Sequence, residues 1–241
     1  TGNTVTLPAP TNVVGGYTYS IVSVTDAAAL NCPSSSTATV TVNDLPNASI
    51  SGGSATCQNQ PAMNVSLSGS NTSGPYTINY TVNGSAASVT GVAGSTTVAV
   101  PTNAVGNFVY SLVSVSDGQT PSCSQAASGS TTYTVRPLPT ANISSTTQQI
   151  CEDMSGTVNF NGFSATPNYT FNYQLNGTPQ TAIATTGGSS NATLSVPAFS
   201  KTPGTYSYNL TGVTDSYGCT QPQASTTSIT IYALPTATVV G

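Results

Sequence analysis

The chain has 241 residues, 37% of them hydrophobic and only 3% charged, with two cations, six anions and no histidine. That balance offers no basic stripe for nucleic acid and no polybasic segment for anionic lipid, and it lacks the usual general base and commonest metal ligand. Ser and Thr make up roughly a third of the residues where soluble domains carry roughly 25% charge, so hydroxyls and amides must supply the hydration.

In chain order, the opening "TGNTVTLPAPTN" matches "AGSTTVAVPTN" at 93–103, so residue 1 is expected to fall inside a repeating unit. "GGYTYSIVSVTDAAALNC" (15–32) comes next and returns as "GNFVYSLVSVSDGQTPSC" (106–123) and "GTYSYNLTGVTDSYGC" (204–219). Between these copies, "NVSLSG", "YTINYTVNG", "STTVAV", "FVYSLVSV" and "STTYTV" alternate apolar with polar residues and are rich in Val, Thr and Tyr, which predicts strands. Asn83-Gly84 and Asn176-Gly177 predict tight hairpin turns, and no segment has helical period. No apolar run approaches the roughly 18 residues needed to span a bilayer, so direct membrane insertion is not expected.

Asp26, Asp117 and Asp215 lie 91 and 98 residues apart (117 − 26 and 215 − 117). Leu45-Pro46, Leu138-Pro139 and Leu234-Pro235 lie 93 and 96 apart (138 − 45 and 234 − 138). The spacing predicts the C-terminal half of one repeat over 1–46, complete repeats over 47–139 and 140–235, and the start of another over 236–241. Seven or so short antiparallel strands in each unit of about 95 residues predict an all-β, immunoglobulin-like sandwich. The Leu-Pro junctions leave little free linker, so the units are expected end to end with limited flexing. In each copy of the repeated strand the apolar series slips by one residue, from Leu210 past Gly212 to Val213, from Leu112 past Ser114 to Val115 and from Ile21 past Ser23 to Val24. A β-bulge at the small residue would return each valine to the core.

The repeated aspartates Asp26, Asp117 and Asp215 are expected to cap strand-end turns by accepting backbone N–H bonds. Calcium wants six to eight oxygens and no second carboxylate accompanies any of them, so neither metal nor cofactor is expected. Glu152-Asp153 is read as a solvated loop, and no acid, base and nucleophile set points to an enzyme. The tyrosines of the repeated strand are expected in the core. Lys201 is the only lysine, which excludes a lysine cross-link in every repeat.

The motif "PGTYSYNLTGVTDSYGC", with the "LPTA" junction, resembles the closing strand of PKD-like domains, closest to variants tandemly repeated in giant surface adhesins of Bacteroidota, including gliding-motility adhesins. The resemblance implies an extracellular stalk or adhesive fibre exported to the cell surface by the type nine secretion pathway. The implied partners are neighbouring repeats of the same chain, surface polysaccharide or the secretion machinery. A carbohydrate-binding accessory module of a secreted enzyme is the alternative, and it would require an exposed aromatic strip.

Each whole repeat has one cysteine early and one a few residues after its aspartate. This predicts disulfides Cys57–Cys123 and Cys151–Cys219, with Cys32 unpaired through truncation.

Overall fold

The computed structural model describes residues 4–25, 27–28, 31–33 and 35–239, apart from the side chains of Asn31 and Cys32. The first strands are β1 (Gly15–Ser20), β2 (Ser23–Thr25), β3 (Asn31–Pro33) and β4 (Thr37–Val42). Next come β5 (Asn47–Ser51), β6 (Ala55–Cys57), β7 (Met63–Ser70), β8 (Tyr76–Val82), β9 (Ser85–Val92), β10 (Ser95–Val100), β11 (Gly106–Ser116), β12 (Ser124–Ala126) and β13 (Ser130–Arg136). The last group is β14 (Thr140–Ser145), β15 (Gln149–Cys151), β16 (Gly156–Phe163), β17 (Thr170–Leu175), β18 (Thr178–Pro179), β19 (Ile183–Ala184), β20 (Asn191–Val196), β21 (Gly204–Thr214), β22 (Thr220–Pro222) and β23 (Thr226–Tyr232).

These strands belong to two compact units, one of Thr1–Gly53, Met63–Val100 and Phe108–Thr132, the other of Ser54–Ala62, Pro101–Asn107 and Tyr133–Gly241. In the first, β7 lies between β5 and β10, while β8 pairs with β9 and β11. The period-2 pattern turns Val65, Leu67, Ile78, Leu112 and Val115 inward, all buried. Near the amino terminus β1 pairs with β4 and β2 with β3. There the third slip is a strand break between Ser20 and Ser23, and Val24 stays 57% exposed rather than joining a core.

The second unit shows the sandwich most fully. Strands β14–β16–β20 form one antiparallel sheet, and β15–β23–β21–β17–β18 form the other. Buried residues of both sheets make one core, with Phe160 packed 5.5 Å from Phe171 and 5.3 Å from Tyr173 between ring centroids. Each such side chain removed from water contributes roughly 1.5–3 kcal/mol. This is the immunoglobulin-like arrangement expected from the strand pattern. Two pairings depart from the all-antiparallel expectation: β15 runs parallel to β23, and β6 runs parallel to β13. The chain crosses from one sheet to the other between β14 and β15, so β15 runs beside the last strand in the same direction.

The register confirms the slip and moves its position. Tyr80 opposes Leu112 and Asn79 opposes Ser114, leaving Val113 as the extra residue. Likewise Tyr173 opposes Leu210 and Asn172 opposes Gly212, leaving Thr211. The bulge therefore sits one residue before the small one, and Val115 and Val213 are buried as a result. Both Asn-Gly turns have positive φ at both residues, as their geometry requires. Their asparagines do more than turn. Asn83 Oδ1 accepts the Val109 N–H and Asn176 Oδ1 accepts the Ser207 N–H, each at 2.8 Å, which ties the hairpins to β11 and β21.

A contact invisible to the hydropathy pattern recurs in both units. A Cβ on Gly69 would stand 2.4 Å from Tyr76 Cδ2, and one on Gly162 would stand 2.4 Å from Tyr169 Cδ2. The tyrosine ring thus lies directly on the glycine backbone. Its hydroxyl donates to the carbonyl four residues earlier, Thr72 for Tyr76 and Ala165 for Tyr169. Glycine at these strand positions is a packing requirement rather than a turn signal.

Two outcomes follow from this packing. Gly162→Ala should destabilise the protein by about 1–3 kcal/mol in thermal or denaturant unfolding, since backbone and ring must separate. Tyr169→Phe, which loses only a hydrogen bond, should cost about 1 kcal/mol. A neutral Gly162→Ala variant would contradict the contact. The Tyr173 and Tyr208 hydroxyls also titrate above their ordinary value of 10.0, through burial and, for Tyr208, the neighbouring Tyr173 and Tyr206. Their raised folded-state values give stability that is complete below about pH 10 and is lost as pH rises further. An alkaline unfolding series should show that fall, and Tyr208→Phe should make it shallower.

Candidate functional site

The cysteines occupy two kinds of backbone position. Cys151 ends β15 and lies level with Tyr232 of β23, whose neighbour Ile231 opposes Gly204 at the start of β21. Cys219 follows the other end of β21, where its carbonyl accepts the Asp215 N–H and the next residue, Thr220, opposes Thr214. Strand β21 is 11 residues long, so Cys151 and Cys219 are separated by about 33 Å along it. A disulfide needs Cα atoms within about 7 Å. The expected Cys151–Cys219 bond is therefore not formed.

Cys219 is bonded instead to Cys57, at a Cα separation of 5.6 Å. Cys123 and Cys151 are both free thiols, so the expected Cys57–Cys123 bond is not formed either. Cys57 lies level with Arg136 of β13, as Cys151 does with Tyr232 of β23. Cys123 takes the place of Cys219, with its carbonyl accepting the Asp117 N–H, and β11 has the same 11 residues between the corresponding points. The Cys32 side chain lies outside the described residues, although its backbone pairs with Val24.

The bond has a second contact beside it. Arg136, level with Cys57, places its guanidinium carbon 3.8 Å from the centroid of the Tyr217 ring, two residues before Cys219. Such contacts contribute about 0.5–2 kcal/mol. The only other cation, Lys201, lies 5.1 Å from the Tyr206 ring. Between Arg136 and β14 none of the residues is exposed, and Pro139 is buried. The segment around Cys57 is also tied locally, with the Asn59 N–H donating to Thr102 and the Gln58 side chain to the Asn103 carbonyl.

Asp215 and Asp117 shape the turn that presents the late cysteine. Asp215 Oδ1 accepts the Tyr217 and Cys219 N–H groups, both at 2.9 Å. Asp117 Oδ1 accepts the Cys123 N–H at 2.8 Å and the Gln119 N–H at 3.4 Å. Both carboxylates are buried. Asp117 Oδ2 has no hydrogen-bond partner, but among the described residues no three His, Cys, Asp or Glu side chains converge on a point. Asp26 lies outside the described residues. Glu152 and Asp153 lie in the turn after β15, where Glu152 is half-buried and its carboxylate accepts the Leu234 N–H at 3.2 Å, while Asp153 is exposed.

A cavity of about 420 Å³ lies over β1 and β4, lined by Val5, Leu7, Tyr19, Ile21 and Val40 among others. Tyr19 is its only titratable lining residue, so it holds no acid–base pair. The arrangement that the described residues assemble with care is thus a covalent clamp and its turn. Pairing by position along β21 was readable only once strand direction and register were known.

No family model matches the chain, and no curated protein matches it. Among solved structures it is similar to fibronectin(III)-like modules of Clostridium thermocellum CbhA, at 11% identity and a TM-score of 0.34, covering 80% of this chain and all of that one. It is also similar to a Ca2+-stabilized ice-binding adhesin of an Antarctic bacterium (13% identity, TM-score 0.39, 90% of this chain and 57% of that one). A third is the Yersinia pseudotuberculosis adhesin InvE (11% identity, TM-score 0.30, 77% and 58%). The chain therefore spans little more than half the length of either adhesin.

The clamp makes a definite prediction. The two bonded cysteines are 162 residues apart, and closing that loop is worth about 5 kcal/mol on the chain-entropy model. Cys57→Ser and Cys219→Ser should lower unfolding stability equally, and the double variant should match either single one. Asp215→Ala should cost about 1–3 kcal/mol by leaving two turn amides unpaired, and Asp215→Asn much less. Unequal single-cysteine variants would show that the two residues do not act as one bond.

Proposed function

We propose that this chain is a load-bearing segment of a long extracellular adhesin fibre on a cell surface, built from tandem immunoglobulin-like repeats. The observation that carries this reading is the Cys57–Cys219 bond. It joins the early strand of one sequence repeat to the closing turn of the next. Tension applied at the two ends of the chain enters through Cys57 and leaves through Cys219, so residues 58–218 are outside the covalent load path. A soluble binding module has no need of such a bypass. The charge-poor surface suits the same role, since it gives little long-range attraction to other molecules while hydroxyls keep it hydrated.

A disulfide belongs to an oxidising compartment, in keeping with an extracellular location. Within the same reading, the resemblance to gliding-motility adhesins suggests surface attachment or gliding, with export by the type nine pathway. Surface polysaccharide, the secretion machinery and neighbouring repeats are the proposed partners. We infer no enzymatic activity.

Single-molecule stretching of the chain held at its two ends tests this. Under oxidising conditions, extension should arise only from residues outside 58–218. Adding a reductant under load should release the 162-residue loop, about 550 Å at roughly 3.4 Å per residue. A glycan array and a surface-adhesion assay on the same chain should show no micromolar sugar binding. Full-length extension without reductant, or tight binding of a defined sugar, would favour the accessory-module reading.

A further inference from the structure

Five cysteines fall into two classes by position. Cys57 and Cys151 are early, each ending a short strand that runs parallel to the last strand of its repeat. Cys32, Cys123 and Cys219 are late, following Asp26, Asp117 and Asp215 in sequence. The structure shows one bond, and it is between an early cysteine and the late cysteine of the following repeat.

The unbonded members are built like the bonded ones. Around Cys151, the Glu152 N–H donates to Tyr232 at 2.9 Å and the Met154 N–H to the Cys151 carbonyl at 3.0 Å. Around Cys57, the Gln58 N–H donates to Arg136 at 2.8 Å and the Gln60 N–H to the Cys57 carbonyl at 3.3 Å. The Cys123 N–H donates to Asp117 Oδ1 at 2.8 Å, as the Cys219 N–H does to Asp215 Oδ1 at 2.9 Å. Cys123 and Cys151 are neither buried nor fully exposed, and Glu152, beside Cys151, also holds Leu234 of the next Leu-Pro junction. Each free thiol is therefore held by the same local backbone bonds as its bonded counterpart.

We infer that the cysteines of this protein form an offset series, in which every early cysteine bonds the late cysteine of the repeat after it. Cys151 is then the attachment point for the late cysteine of a further repeat, and Cys123 for the early cysteine of a preceding one. This rests on the tandem-array reading above. The partner in each case is a repeat of the same pattern. Two thiols lose two protons and two electrons as the S–S bond forms, and a disulfide-containing thiol oxidant takes them up to become a dithiol. Such bonds interleave: the span closed by one overlaps the span closed by the next. A single backbone cut inside the series leaves the fibre in one piece, because a bond always bridges the cut.

The test is disulfide mapping of the intact native protein, alkylated without reduction and digested, together with its intact mass. The expected result links Cys57 to Cys219, links Cys151 and Cys123 each to a cysteine outside residues 1–241, and leaves neither thiol alkylated. Linkage of Cys57 to Cys123 or of Cys151 to Cys219 would overturn the offset. So would a mass well above 24.1 kDa with Cys123 and Cys151 alkylated. A native mass near 24.1 kDa would instead overturn the array reading itself.

Discussion

The distance spanned by one long strand governs how this protein is held together. In the second unit, β21 carries the chain through 11 residues from the level of Cys151 to the turn of Cys219. A disulfide reaches a small fraction of that length. An immunoglobulin-like sandwich with one cysteine at the start of this strand and one beyond its end cannot close on itself. Cys57, level with Arg136 of β13, meets instead Cys219, which follows by two residues the Tyr217 ring that Arg136 covers, and there they bond.

The protein uses what little charge it has with economy. Both cations lie over tyrosine rings, and the buried carboxylates of Asp117 and Asp215 each accept two backbone N–H groups. Elsewhere, outward strand positions pair through hydroxyls and amides, as in Ser49 with Ser68 at 2.7 Å, Thr205 with Thr230 at 3.1 Å and Asn142 with Asn161 at 2.9 Å. Cross-strand pairs of this kind hold strands together without ion pairs and so without sensitivity to salt. The resulting surface is hydrated by hydroxyls and amides yet nearly neutral.

The two sheets approach closely where glycine permits. Tyr76 on Gly69 and Tyr169 on Gly162 put a ring against bare backbone, and each ring is fixed at its far end by a hydroxyl bond four residues back. The bulges at Val113 and Thr211 then reset the phase of the long strand, so that one valine more reaches the core and the strand ends at the aspartate turn. Packing, phase and turn together set where the late cysteine points.

Much of this was legible in the sequence because it depends on neighbours along the chain. Alternation of apolar and polar residues marked the strands, Asn-Gly marked the hairpins, and the one-residue slip before Val115 and Val213 marked the bulges, all through local backbone geometry. The cysteine pairing was not legible in that way. Counting an early and a late cysteine in each repeat suggested closure within it, since sequence proximity carries no information about which end of a sandwich a residue occupies. That is decided by strand direction and register, in particular by the parallel pairing of β15 with β23 and of β6 with β13. Nor could the pattern show that Gly69 and Gly162 lie beneath tyrosine rings, because a glycine in a strand reads as weakness until the opposing sheet is in place. The sequence by itself determined the strands, their turns and the repeated placement of aspartate and cysteine. Only the tertiary structure decided which cysteines meet, because a covalent bond a few ångströms long depends on three-dimensional distance and not on separation along the chain.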